Sequence, residues 1–246
     1  MNSARWGRAL VLLATAALTF ALAGCWNPFR PLVSNQPGVI ESAPVPDSPR
    51  HALDLFQWCW KNRDFTPYRE IFTADYRFEF AATDSAGNAY RNTPWTRDDE
   101  LISAKNLFQS GTAGEPQASQ ITLIFDGNLT AVPDDRRDSS NTTFVYPFHQ
   151  MIQIPNLTLT VTKSDGTAYR VTGGATFYFV SGDSADIPTD LGFPQDPNRW
   201  YIERWVDRTN TGPGSRAIPA AWPARPETYI ERATWGRLKA VYRFAR

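Results

Sequence analysis

Apolar and polar positions along the chain follow two regimes. From Ala9 to Gly24 no charged residue interrupts a run rich in Leu, Val, Ala and Phe, whereas beyond Pro49 the apolar positions recur with a period. Ala52, Leu53, Leu55, Phe56, Cys59 and Trp60 fall at three- and four-residue spacing, the period of a helix with one buried face. Ser48-Pro49 places a good N-cap before a proline at the first helical position. Together these predict an amphipathic helix over 48–62. Arg63-Asp64 breaks it, and Thr66-Pro67 repeats the cap-plus-proline signal ahead of a short second helix carrying Tyr68, Ile71 and Phe72. The period then becomes two. Tyr76, Phe78 and Phe80 alternate with Arg77, Glu79 and Ala81, which reads as a half-buried strand, and Asp75 suits a turn or cap at its entry.

Ser85 to Asn88 reads as a turn. Thr96-Arg97-Asp98-Asp99 has capping-box spacing, and Leu101, Ala104, Leu107 and Phe108 form the stripe of a third helix ended by Gly111. Strand patterns dominate afterwards. Ile121, Leu123 and Phe125 alternate; 133–143 is a polar loop; 144–161 alternates in pieces around Pro147 and Pro155. Ser164-Asp165-Gly166-Thr167 carries the Asp-Gly signal of a tight hairpin. Val171 to Val180 is a strand in which Gly173-Gly174 marks a bulge or bend, and Trp200 to Asp207 is another strand. Residues 211–226 are rich in Pro, Gly and Ala and predict no regular structure; around Trp235, Leu238 and Val241 the pattern suits either a helix or extended chain. Helices segregated from an antiparallel sheet define an α+β class.

The apolar run near the start has a different logic. Arg5 and Arg8 precede it with no acid, and it is shorter than the roughly 20 residues that span a bilayer. It ends in Leu22-Ala23-Gly24-Cys25, which resembles the lipobox of bacterial lipoproteins. The resemblance implies a signal peptide over 1–24, cleavage after Gly24 and a lipidated Cys25 carrying diacylglycerol and fatty acids such as palmitate. Two or more chains suffice for stable anchoring. Trp26 stands where Asp favours inner-membrane retention in enteric bacteria, so the expected address is the outer membrane of the cell envelope. Pro28, Pro31, Pro37, Pro44 and Pro46 make 25–47 a semi-rigid tether. The leader takes two arginines with it, so 25 basic side chains become 23 against 25 acidic ones. That balance argues against a nucleic-acid partner, which calls for a basic footprint. With Cys25 modified, Cys59 has no disulfide partner, and its aromatic run Phe56-Gln57-Trp58-Cys59-Trp60 predicts an inert buried thiol.

The domain itself resembles the NTF2-like superfamily, which includes SnoaL-like proteins, ketosteroid isomerase and scytalone dehydratase. The resemblance rests on Ala52-Leu53-Asp54-Leu55-Phe56, on Asn62-Arg63-Asp64-Phe65-Thr66-Pro67-Tyr68, on Phe72-Thr73-Ala74-Asp75-Tyr76-Arg77-Phe78 and on Trp200-Tyr201-Ile202-Glu203-Arg204-Trp205-Val206-Asp207. It implies an NTF2-like cone over 48–208, N-terminal helices packed on a strongly curved antiparallel sheet, with 209–246 as a C-terminal extension. It also implies a pocket, and sometimes a homodimer through the sheet. Nine Trp, nine Tyr and fifteen Phe could fill such a cone.

Chemistry is sparse. The two histidines, His51 and His149, lie far apart, no metal-ligand spacing stands out, and neither a phosphate loop nor a Gly-x-Ser-x-Gly elbow occurs. No cofactor is expected and no residue is assigned a catalytic role. The pocket candidates are Tyr76, His149, Glu203, Trp205 and Asp207. Period two places Glu203, Trp205 and Asp207 on one face of the Trp200–Asp207 strand and Ile202, Arg204 and Val206 on the other. Asp98-Asp99-Glu100 reads as the acidic first turn of a helix. Three functions follow: a non-enzymatic binding or interaction module for a small apolar ligand or an envelope protein; a pocket enzyme of isomerase or dehydratase type with an acid–base residue such as His149; or a structural partner in an envelope assembly, engaged through an aromatic patch or the tail at 228–246.

Overall fold

A computed structural model describes residues 42–84, 88, 90, 93–137, 143, 146, 148–182, 187–209 and 229–243. The leader, Cys25, the tether up to residue 41 and the 211–226 segment lie outside the described residues. Helix α1 (Pro49–Asn62) starts where Ser48 accepts from the His51 amide and stops at Arg63, whose φ of 53° is left-handed. Helix α2 (Phe65–Arg69) is capped by Asp64, not by Thr66: the Asp64 carboxylate accepts from the Thr66 amide, and Pro67 sits in the first turn, where its missing N–H is harmless. Strand β1 (Phe72–Glu79) and the short β2 (Trp95–Thr96) lead into α3 (Arg97–Lys105), which begins with the reciprocal Thr96–Asp99 capping box. One wider turn, Asn106–Ser110, extends α3 to Gly111 at φ 66°. Then come β3 (Ala118–Asp126), β4 (Val132–Pro133), β5 (Gln150–Lys163), β6 (Ala168–Gly182), β7 (Asp196–Arg208), β8 (Ile230–Arg232) and α4 (Trp235–Arg243).

The sheet runs β2-β1-β7-β6-β5-β3, with β4 added to β5 and β8 to β6. It is antiparallel except for the β1–β7 and β6–β8 pairs, which are parallel. The class is α+β, helices packed on a large sheet. Strand β5 is not interrupted at Pro155. Instead the register slips there: Ile154 faces Ala175 and Leu157 faces Gly173, so Pro155 and Asn156 share one partner position. A bulge suits a residue with no N–H to give the ladder. Gly174 lies opposite; a Cβ there would sit 3.0 Å from the Ile154 carbonyl oxygen.

Helix α1 lies on the sheet, and it also guards the edge strand. Gln57 Nε2 donates to the Leu123 carbonyl (2.7 Å) and Arg63 Nη1 to the Ala118 carbonyl (2.7 Å). These side chains occupy backbone acceptors that an exposed edge would offer to another strand. Helix α4 resolves the ambiguous tail pattern. Trp235, Leu238 and Tyr242 are fully buried, and the Trp235 ring stands edge-on to Trp60 and Trp205, with centroids at 5.0 and 4.6 Å. Ser103 and Asn106 donate to the carbonyls of Lys239 and Tyr242, and the Tyr242 hydroxyl donates to the Pro116 carbonyl. The described tail is thus core, part of the same compact unit as everything from Ser42 onward. The described end of the tether also docks: Pro46 is buried and its carbonyl accepts from the Trp200 amide (2.7 Å).

Candidate functional site

Two polar constellations deserve chemical reading, one on each side of the sheet. The inner one is centred on Glu100. It lies in the first turn of α3, but on the inward face with Ala104, and it is 1% exposed. The Tyr68 hydroxyl donates to one carboxylate oxygen (2.6 Å); the Tyr76 hydroxyl (3.3 Å) and the Trp95 indole (3.1 Å) donate to the other. Lys239 of α4, 2% exposed, completes the set with a salt bridge to both oxygens. Its ammonium also lies over the rings of Trp205 (4.2 Å) and Phe78 (4.6 Å). Burial lowers the Lys239 pKa against the pull of Glu100, and burial followed by the Glu100 charge holds both tyrosine hydroxyls well above their usual range.

Trp205 forms the middle of the aromatic core, edge-on to Phe56 (5.3 Å) and stacked on Phe177 (5.0 Å). Two residues on, Asp207 faces the core opposite Ala175 and is 3% exposed. One of its oxygens accepts from the Thr209 amide (2.8 Å); the other has no hydrogen-bond partner among the described residues. Burial raises its carboxyl to about 6, Thr209 opposes that, and Asp84 adds to it.

Glu203 does not share this face. The β6–β7 register pairs Phe177 with Trp205 and Tyr178 with Arg204, then jumps to Phe179 with Ile202. Glu203 therefore occupies a bulge. The extra residue shifts the alternation, so Ile202 joins Trp205 in the core and Glu203 emerges on the far side of the sheet, a correction to the strict period-two reading. There it accepts from Arg136 Nη2 (2.9 Å). Arg136 also binds the buried Asp134 (2.6 Å), and its guanidinium is sandwiched between the rings of Tyr146 (3.9 Å) and Tyr178 (4.2 Å). His149 stacks on Tyr146 with its Nδ1 3.5 Å from Arg136. Burial lowers its pKa, and Glu203 and Asp134 partly oppose that. This second constellation pins the chain before β5 onto the outer face of the sheet.

The structure thus brings Tyr76, Trp205 and Asp207 into the core and sets His149 and Glu203 apart from them. Sequence reasoning missed Glu100 and Lys239. A signal existed: Lys239 falls four residues after Trp235 and three before Tyr242, on an otherwise apolar stripe. Chemically, the inner donors converge on Glu100 itself. Its two oxygens hold three neutral donors and an ammonium, which leaves no free lone pair with which to take a substrate proton. Among the described residues no group of three or more His, Cys, Asp or Glu could hold a metal ion, and no helix is long and apolar enough to cross a membrane.

No protein-family model and no curated protein matches the chain. Solved structures do. A conserved protein from Planctomyces limnophilus is 13% identical over 65% of this chain and 92% of its own, with a TM-score of 0.41. An NTF2-like superfamily protein from Salmonella enterica is 14% identical over 68% and 92%, at 0.39. A putative scytalone dehydratase from Novosphingobium aromaticivorans is 11% identical over 75% and 91%, at 0.40.

Proposed function

We propose that the chain is a cell-envelope lipoprotein, anchored through lipid on Cys25, whose NTF2-like domain is a non-enzymatic binding or interaction module. The observation that carries the non-enzymatic part is the saturated Glu100. In a pocket enzyme, polar groups converge on a substrate; here they converge on one another, beneath a helix whose Trp235 plugs the aromatic core. An isomerase or dehydratase using His149 would need that ring beside an enclosed substrate. His149 instead stacks on Tyr146 next to a guanidinium, on the other side of the sheet from Trp205. The burial of α4 likewise argues against the tail as a free arm. The lipobox residues and the leader carry the anchoring part, and Trp26 carries the outer-membrane address.

The test is metabolic labelling of the full chain in a bacterial host with radiolabelled palmitate, followed by membrane fractionation. Label in the wild type and none in Cys25→Ser is expected. Labelling that persists in Cys25→Ser refutes the anchor.

A further inference from the structure

On the outer face of the sheet, away from the Arg136 constellation, the register assembles a surface with an unusual charge pattern. Arg170 of β6 and Arg232 of β8 are direct partners, both exposed. Their inner neighbours Tyr169 and Glu231 face the core side, so the two guanidiniums share the outer face on strands about 4.8 Å apart. Like charges directly opposite one another in a sheet are destabilising, and among the described residues neither arginine has a carboxylate partner. Thr160 and Thr122 continue the same row across β5 and β3; Thr158 and Thr172 form the next row, about 7 Å along the strands. Arg208 projects from the same face farther along β7, held by Thr176 Oγ1 (2.8 Å). Tyr229, 65% exposed, stands at the rim.

We propose that this face binds an anionic polysaccharide. Guanidinium forks match carboxylate or sulfate groups, rows of threonine hydroxyls match sugar hydroxyls, and an exposed tyrosine offers a ring to the apolar side of a sugar. The uncompensated Arg170–Arg232 pair supplies the charge complementarity: an anion relieves a repulsion that the free protein carries. A double-helical nucleic acid fits less well, because the chain as a whole is balanced in charge, with 25 basic and 25 acidic side chains, and lacks the basic excess such a partner calls for. The proposal rests on the binding-module reading and names its ligand class.

The experiment retains the full chain, in non-ionic detergent, on resins bearing polygalacturonate, dextran sulfate or neutral dextran at about 0.15 M salt, where only close contacts escape screening. Retention on both anionic resins and not on dextran is expected. Arg170→Gln and Arg232→Gln should each weaken binding about tenfold, the size of one charge-assisted hydrogen bond. Arg50→Gln, which removes the same charge from α1, should leave it unchanged. Both face variants should melt at or above the wild-type temperature, because the repulsion goes with the charge. No retention, equal retention on dextran, unchanged binding by the face variants, or a preference for double-stranded DNA would overturn the proposal. Cys25→Ser separates the two readings: it should lose palmitate and keep polysaccharide retention.

Discussion

Replacing Lys239 by methionine keeps the aliphatic stem against Trp205 and Phe78 but deletes the ammonium. Glu100 is then a carboxylate with 1% exposure, held only by Tyr68, Tyr76 and Trp95. Breaking a buried pair from one side costs about 3–5 kcal/mol, because the surviving charge is left uncompensated. A domain of this size loses about 2–4 °C of Tm per kcal/mol, so Lys239→Met should melt on the order of 6–20 °C lower. The cause, if it is the stranded charge, has a signature. Glu100→Gln added to Lys239→Met should recover most of the loss, since an amide oxygen still accepts from the three neutral donors and no charge is buried. The assay is urea denaturation followed by tryptophan emission, for both singles and the double. A double variant no more stable than Lys239→Met would refute the reasoning, as would a single variant within about 0.5 kcal/mol of wild type, the scatter expected of a surface change.

Asp207→Asn should be stabilising above neutrality. The folded carboxyl is raised to about 6 against about 3.9 unfolded, so its favourable contribution is complete below pH 4 and lost as pH rises through 6. The difference is at most about 3 kcal/mol, measured as the variant's advantage at pH 8 and its absence at pH 4. Arg136→Met strands Asp134 and Glu203 and should cost about 3 kcal/mol or more by the same denaturation assay. Trp235→Ala should cost about 3–5 kcal/mol through the cavity left between Trp60 and Trp205. Cys59, whose thiol is pushed up chiefly by burial, should resist iodoacetamide in the native Cys25→Ser chain and react in urea, as mass spectrometry would record.

Local signals carried much of this fold. Helix α1 follows from a clean stripe with Ser48 and Pro49 at its head, and the Thr96–Asp99 capping box was readable from four residues. The Asp-Gly hairpin between β5 and β6 was equally local. What escaped was long-range. Glu100 and Lys239 stand 139 positions apart, and in each local window the simplest reading of a charge is a solvated one. The bulge at Glu203 was invisible for another reason: alternation assumes one residue per step, and nothing in Ile202-Glu203-Arg204-Trp205 announces where a step is doubled. It moved one candidate to the opposite side of the sheet. The α4 pattern was too short to separate helix from strand until its partners, Trp60 and Trp205, were in place.

Helix α4 joins Ser103 across 136 positions, and this spacing has a kinetic consequence. A nascent chain that has emerged only as far as β7 holds Glu100 without its cation and Trp60 and Trp205 without the ring that wedges between them. Such a fragment has α1 to α3 and most strands available but an interior it cannot close, and topologies that wait for distant contacts assemble slowly. On the proposed export route, in which the polypeptide would cross a membrane before folding, this delay is an asset: α4 acts as a late-arriving keystone, and the domain stays pliable until that segment has been made.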